Sequence, residues 1–115
     1  MIAVIFELEP KPQRTEDYFA IALELGSLLE EIDGFISIER FESVSSPGKY
    51  LSLSFWRDET AITQWRNLKT HRSAQLKGRA SIFQHYRLRV ATIIRDYSLC
   101  DRENVPKDSQ GFHSI

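Results

Sequence analysis

A chain of 115 residues with 42% hydrophobic and 27% charged residues has the length and balance of one globular domain, able to bury roughly two-thirds of its unfolded surface. Its formal net charge of -1 gives no general attraction to nucleic acid or anionic membrane. The single cysteine, Cys100, excludes an intrachain disulfide and a cysteine-rich zinc site, which fits a reducing cytoplasm.

The opening stretch MIAVIFELEP lacks a basic leader and alternates, with Ile2, Val4, Phe6 and Leu8 on one parity, so it reads as a strand ended by Pro10 and Pro12 rather than as a signal peptide. No run approaches the roughly 18 apolar residues of a membrane span. Thr15 is the expected N-cap of a helix with Glu16 and Asp17 in its first turn. Tyr18, Ala22, Leu25, Leu29 and Ile32 recur at helical spacing, and Asp33-Gly34 ends it. FISIERFESV (Phe35 to Val44) and YLSLSFW (Tyr50 to Trp56) flank the reversal SSPGK and predict a hairpin. Asp58 is the expected cap of a second helix whose stripe is Ala61, Ile62, Trp65 and Leu68, with a further short helix around His71 to Phe83. Tyr86 to Ser98 alternates again, setting Leu88, Val90, Thr92 and Ile94 opposite Arg87, Arg89 and Arg95.

The order β-α-β-β-α-β predicts an α+β, ferredoxin-like domain over residues 1–98, with a four-stranded antiparallel sheet and helices on one face. The uncovered face calls for a second copy, hence a homodimer. Residues 99–115 are polar and unperiodic and read as a mobile C-terminal tail.

Side chains two apart on a strand share a face, so Tyr50, Ser52, Ser54 and Trp56 form one row and Leu51, Leu53 and Phe55 the other. Small hydroxyls between two aromatics leave room and hydrogen-bonding capacity, so Trp56 is expected to border a cavity beside Ser52 and Ser54. Trp65 is expected to be at least partly core. His71 reads either as an exposed or capping imidazole or as a base near neutral pH. His85 and His113 have weaker cases, and no histidines and carboxylates stand at metal-site spacing, so no metal is assigned. Arg87, Arg89 and Arg95, with Arg72 and Arg79 before them, read as a solvated face unless some turn inward to hold an anion. Glu39-Arg40 reads as surface charge.

With this topology in hand, the segment GFISIERFESVSSPGKYLSLSFWRDETAITQWRNLKTHRSAQ resembles the antibiotic biosynthesis monooxygenase family. The likeness rests on Gly34-Phe35, the strand closing on Phe55-Trp56, the Asp58-Glu59 helix start and Trp65. It covers about residues 1–97. It implies a dimeric α/β barrel that oxidises a small aromatic or quinol-type molecule with O2 and no flavin or metal, or, in haem-degrading relatives, one that binds haem. The resemblance departs at particular residues: Gln75 stands where haem-degrading members place their histidine ligand, Phe6 or Glu7 where they carry an asparagine, and Ser52 and Ile62 where polyketide-oxidising members carry asparagine and tyrosine. The roles it implies are His71 as proton acceptor or displaced haem ligand, Trp56 and Trp65 as walls, and Ser52, Ser54, Tyr50 and Arg72 as substrate contacts.

Two other classes share the topology. RNA-recognition domains do, and GKYLSLSF (Gly48 to Phe55) is superficially like their third-strand motif, but Tyr50 and Phe55 have opposite parity, so no nucleic acid is expected. A relative that binds a small molecule without turnover is the other.

Overall fold

The computed structural model describes residues 1–68, 71–73 and 81–110. Strands β1 (Ile2–Pro10), β2 (Phe35–Glu42), β3 (Tyr50–Trp56) and β4 (Phe83–Thr92) form one antiparallel sheet in the order β2-β3-β1-β4. Helix α1 (Thr15–Leu29) links β1 to β2, and α2 (Glu59–Asn67) follows β3. This is the expected ferredoxin-like arrangement, with both helices packed on one face. Gln75, Arg79, His113 and most of the expected third helix lie outside the described residues.

Register defines that face. Ile2, Val4, Phe6 and Leu8 pair with Trp56, Ser54, Ser52 and Tyr50 on one side and with Thr92, Val90, Leu88 and Tyr86 on the other. Residues directly opposite share a face, so this row is continuous across three strands. Its two ends nucleate separate clusters. Leu8 packs with Tyr18, Ala22 and Ile82, whereas Trp56 packs with Leu29 and Ala61. The stripe read from the sequence thus turns Tyr18, Ala22 and Leu29 of α1 inward.

Several boundaries differ from the sequence reading. Arg14, not Thr15, is the N-cap of α1, and it offers no side-chain cap. The polar reach into the first turn comes instead from an Arg14–Asp17 ion pair of 2.8 Å. The helix stops at Leu29, short of Ile32. β4 starts at Phe83 and ends at Thr92, so Ile94 and Arg95 leave the sheet. The C-terminal segment carries turns, among them Asn104 Nδ2 to the Asp96 carbonyl at 3.1 Å, and Val105 is buried. The described part of the tail is therefore structured rather than loose.

Gly34 fixes the link into β2. It has φ +97, and an added Cβ would stand 2.8 Å from the Ala61 Cβ. Only glycine accepts that backbone without strain at so close an approach. Beside it, Arg57 makes a two-pronged contact to Asp33 (3.1 Å each) and reaches Asp58 at 3.2 Å. The Arg57 hydrogen bond holds the Asp33 carboxyl below its usual range.

On the opposite face Ile5, Leu51, Leu53 and Phe55 are half-buried, while Ile36 and Phe41 are exposed. Glu7 sits among them, with Arg89 at 3.3 Å and Lys49 at 3.6 Å. Arg87 and His85 share that face. The arginines of β4 therefore turn away from the helices, because their parity is that of Glu7 and Glu9.

Candidate functional site

Trp56 closes β3 with its ring under the helices, 1% exposed. Its indole Nε1–H donates to the Ser54 Oγ, two residues back on the same row, at 2.9 Å. The Ser54 hydroxyl is thereby committed to orienting the indole, which Phe35 meets edge-on at 5.3 Å. The sequence reading had placed Trp56 at a cavity and Trp65 in the core. The strand tryptophan is instead fully packed, while the helix tryptophan is half-buried against the same cluster and so is partly core as expected.

Trp65 is carried by α2, whose start is set by Asp58. Asp58 Oδ1 accepts from the Ala61 N–H at 3.0 Å, as its position before the helix predicts, and that bond is the main reason its carboxyl is held low. One helical turn later the Trp65 ring lies 6.5 Å from Trp56 on one side and stacks on His71 at 4.5 Å on the other. The helix ends at once, with Leu68 extended (φ -61, ψ 134), and the chain returns so that His71 Nδ1 lies 2.9 Å from the Trp65 carbonyl.

That contact fixes the imidazole's chemistry. A carbonyl only accepts, so Nδ1 carries the proton and donates it. In the neutral ring Nε2 is then the basic nitrogen. Burial lowers the His71 pKa from 6.5, the Trp65 carbonyl opposes that shift, and Arg72 adds to it. His71 thus caps the last turn of α2, as the capping reading expects, and its half-buried ring is neutral at pH 7.

The remaining expected contacts do not all converge here. Arg72 is exposed and donates to Asn67 Oδ1 at 2.7 Å. Tyr50 lies at the far end of β3, about 20 Å from Trp56 along the strand, in ring contact with Phe19 (5.2 Å) and Tyr18 (6.2 Å). Ser52 sits between the two ends, 8% exposed, with no hydrogen-bond partner among the described residues. A shallow groove of about 330 Å³ beyond Tyr50, lined by Glu9, Pro10, Pro47 and Lys49, shares no residue with the tryptophan end.

The sequence reading missed one pair. Arg40, exposed as a surface charge should be, lies opposite Ser52 in the β2–β3 register and near enough to the buried Tyr18 hydroxyl to act on its proton. Burial pushes the Tyr18 phenol up, against Arg40, so it stays protonated. No spacing in the sequence marks this pair, because the β2–β3 pairing shifts between Phe35 and Ser37.

Beyond Phe6 the row opens. Tyr86, Leu88 and Val90 on the helix side of edge strand β4 are 41%, 51% and 48% exposed. Among the described residues no three histidine, cysteine, aspartate or glutamate side chains gather as a metal site. Nor is any helix long and apolar enough to cross a membrane.

Comparison with known proteins agrees with this architecture. A chain from Mycobacterium tuberculosis, Rv0793, superposes with a TM-score of 0.75 at 18% identity, covering 84% of this chain and 98% of that one. A conserved protein of Methanosarcina mazei Go1 superposes with a TM-score of 0.71 at 14% identity, covering 78% and 89%. In sequence, the jasmonate monooxygenase of Pyricularia oryzae is 48% identical over 93 residues, 81% of this chain and 43% of its own length. This chain thus spans less than half of that relative. The uncharacterized protein YqjZ of Bacillus subtilis is 31% identical over 93 residues, 81% of this chain and 79% of its own. The sequence profile described as antibiotic biosynthesis monooxygenase matches residues 1–77, and with these relatives it shows that the chain belongs to the antibiotic biosynthesis monooxygenase family.

Proposed function

We propose that the chain is a small monooxygenase that oxidises an ionisable small molecule with O2, without flavin or metal, on the helix side of its sheet. The observation that supports this most is His71: its Nδ1–H is spent on the Trp65 carbonyl, leaving Nε2 as a base with a pKa lowered by burial. Deprotonating a phenol or quinol hydroxyl gives an electron-rich anion that reacts with O2, and general-base assistance of this kind is worth about 10²–10⁴ in rate. Trp65 supplies an apolar wall, and Trp56 holds that wall in place.

The test is O2 uptake by the purified protein with a set of hydroquinones and with jasmonate, the compound for which the Pyricularia relative is named. Uptake with at least one, reduced about 100-fold or more in His71→Ala, is expected. Undiminished uptake in that variant removes His71 from the chemistry. Saturable binding with no uptake would identify a binding protein instead.

The same geometry supports haem as a second reading. An imidazole that donates from Nδ1 to a carbonyl presents Nε2 as histidines ligating a metal usually do. The donor fits, and it stands four residues before Gln75, the position at which haem-degrading relatives carry theirs. Haem would supply the redox chemistry with O2, while His71 would hold it and Trp65 would fix the imidazole plane. A haemin titration decides: a saturable Soret shift lost in His71→Ala supports haem, and no specific shift sets it aside.

A homodimer through the open sheet face, located in the cytoplasm, completes the proposal. Half-buried Ile5, Leu51, Leu53 and Phe55 with exposed Ile36 and Phe41 supply the apolar surface. A monomeric mass by light scattering at micromolar concentration would overturn the dimer.

A further inference from the structure

One rung of the helix-side row carries a charge that the proposed chemistry does not use. Arg40, Ser52, Phe6 and Leu88 stand opposite one another in turn across β2, β3, β1 and β4. Such a rung spans about 14 Å at 4.8 Å per strand. At one end is a guanidinium and at the other an exposed leucine.

The polar end is assembled but unneutralised. Arg40, exposed on β2, stands near enough to the Tyr18 hydroxyl to oppose the burial that pushes its phenol up. Ser52 beside it is 8% exposed and has no hydrogen-bond partner among the described residues. Among the described residues no carboxylate comes within ion-pair distance of Arg40. Glu42, next on the same side of β2, accepts instead from the Gly48 N–H at 3.1 Å, and Glu39 has the opposite parity.

The apolar end continues from Phe6 to Leu88 and, one two-residue step toward Trp56, to Val90. Both aliphatic residues are about half exposed on the side where the row is otherwise covered.

We propose that Arg40, Tyr18 and Ser52 anchor the carboxylate of an amphipathic small-molecule acid whose apolar body lies over Phe6, Leu88 and Val90. Arg40 supplies the charge, Tyr18 and Ser52 supply O–H donors, and the acid is held with its chain pointing across the sheet toward β4. This rests on the helix side being the substrate face, and it narrows the substrate class there: an oxidisable small molecule that also carries an ionised carboxylate, rather than an uncharged quinol.

Octanoate and 1-octanol make a matched probe pair, equal in apolar body and different in head group. Titration calorimetry on the full chain is expected to give tighter binding of octanoate. Arg40→Gln should erase that preference by weakening octanoate about tenfold or more, the usual size of a charge-assisted hydrogen bond. It should leave octanol unchanged, and Arg40→Lys should restore part of the preference. Tyr18→Phe and Ser52→Ala should each cost octanoate a smaller factor. Val90→Asp, on the apolar lane, should weaken both probes. Circular dichroism confirms that each variant is folded. Equal binding of the two probes, both weakened by Val90→Asp, overturns the carboxylate anchor and leaves the substrate face standing. Binding of neither probe, or binding indifferent to Val90→Asp, overturns the face and the anchor together.

Discussion

The two ends of the helix-side layer rest on the same four strands but are closed by different means. At the Trp56 end one large ring, fixed by the Ser54 hydroxyl, fills the space between Leu29 and Ala61. At the Leu8 end several rings share the work: Tyr18, Tyr50, Phe6 and Phe83 meet at centroid distances of 5.7–6.2 Å. Concentrating the packing in one ring lets the neighbouring helix carry a second, half-buried tryptophan, on which His71 stacks after the helix has ended. Distributing it leaves the Tyr18 hydroxyl at the border, where Arg40 reaches it. The comparison teaches that His71 and Arg40, the two groups given roles in the proposals, belong to opposite ends of one layer, with Ser52 between.

Removing the concentrated ring should do the most damage. Trp56→Ala leaves a cavity and is expected to cost about 3–5 kcal/mol in chemical denaturation. Trp65→Ala, removing a half-buried ring, should cost about 1 kcal/mol, yet it should remove the face on which His71 stacks and so depress any His71-dependent activity. Equal losses of stability would contradict the division between packed and exposed tryptophan. Gly34→Ala is expected to come next, about 1–3 kcal/mol, from the strain of φ +97 and the Ala61 contact.

The two serines sharpen the comparison at finer scale. Ser54→Ala strands the buried Trp56 Nε1–H and should cost about 1–2 kcal/mol. Ser52→Ala removes a hydroxyl with no partner among the described residues and should be nearly neutral for stability while weakening ligand binding. Matching losses from both substitutions would mean that Ser52 serves packing alone.

Much of this frame is legible in the chain. Alternation at Ile2 to Leu8 and at Tyr50 to Trp56 gives the correct inward rows, because both strands run regularly against each other. Asp58 predicts the start of α2 for the same local reason. Legibility fails where register or tertiary return intervenes. In β2 the pairing shifts between Phe35 and Ser37, so counting in twos from Phe35 puts Arg40 outside when it lies on the helix side. The order of burial of the two tryptophans depends on how α2 crosses β3, which no spacing records. The roles of His71 depend on the break at Leu68 that turns its Nδ1 back onto α2. Alternation in Tyr86 to Ser98 overran the sheet because the sequence carries no mark where β1 ceases to be its partner.

The smallest expected effect is the most diagnostic of the tryptophan end. Burial lowers the folded-state pKa of His71 from 6.5, so between the folded and unfolded values the unfolded chain binds the proton and the folded chain does not. Stability contributed by the neutral ring is therefore complete above pH 6.5 and falls as the pH drops through the lowered folded value. His71→Gln should flatten that part of the denaturation profile. Asp33 and Asp58, whose carboxyls are held below 3.8, lose their contribution only at lower pH, so the two regions separate on the pH axis. The rate should follow the same group: if Nε2 is the base, the acid limb of kcat/KM lies below 6.5 and disappears with His71. An acid limb at or above 6.5 would mean that the histidine is freely solvated during turnover, and the stack on Trp65 would then be a resting arrangement rather than the working one.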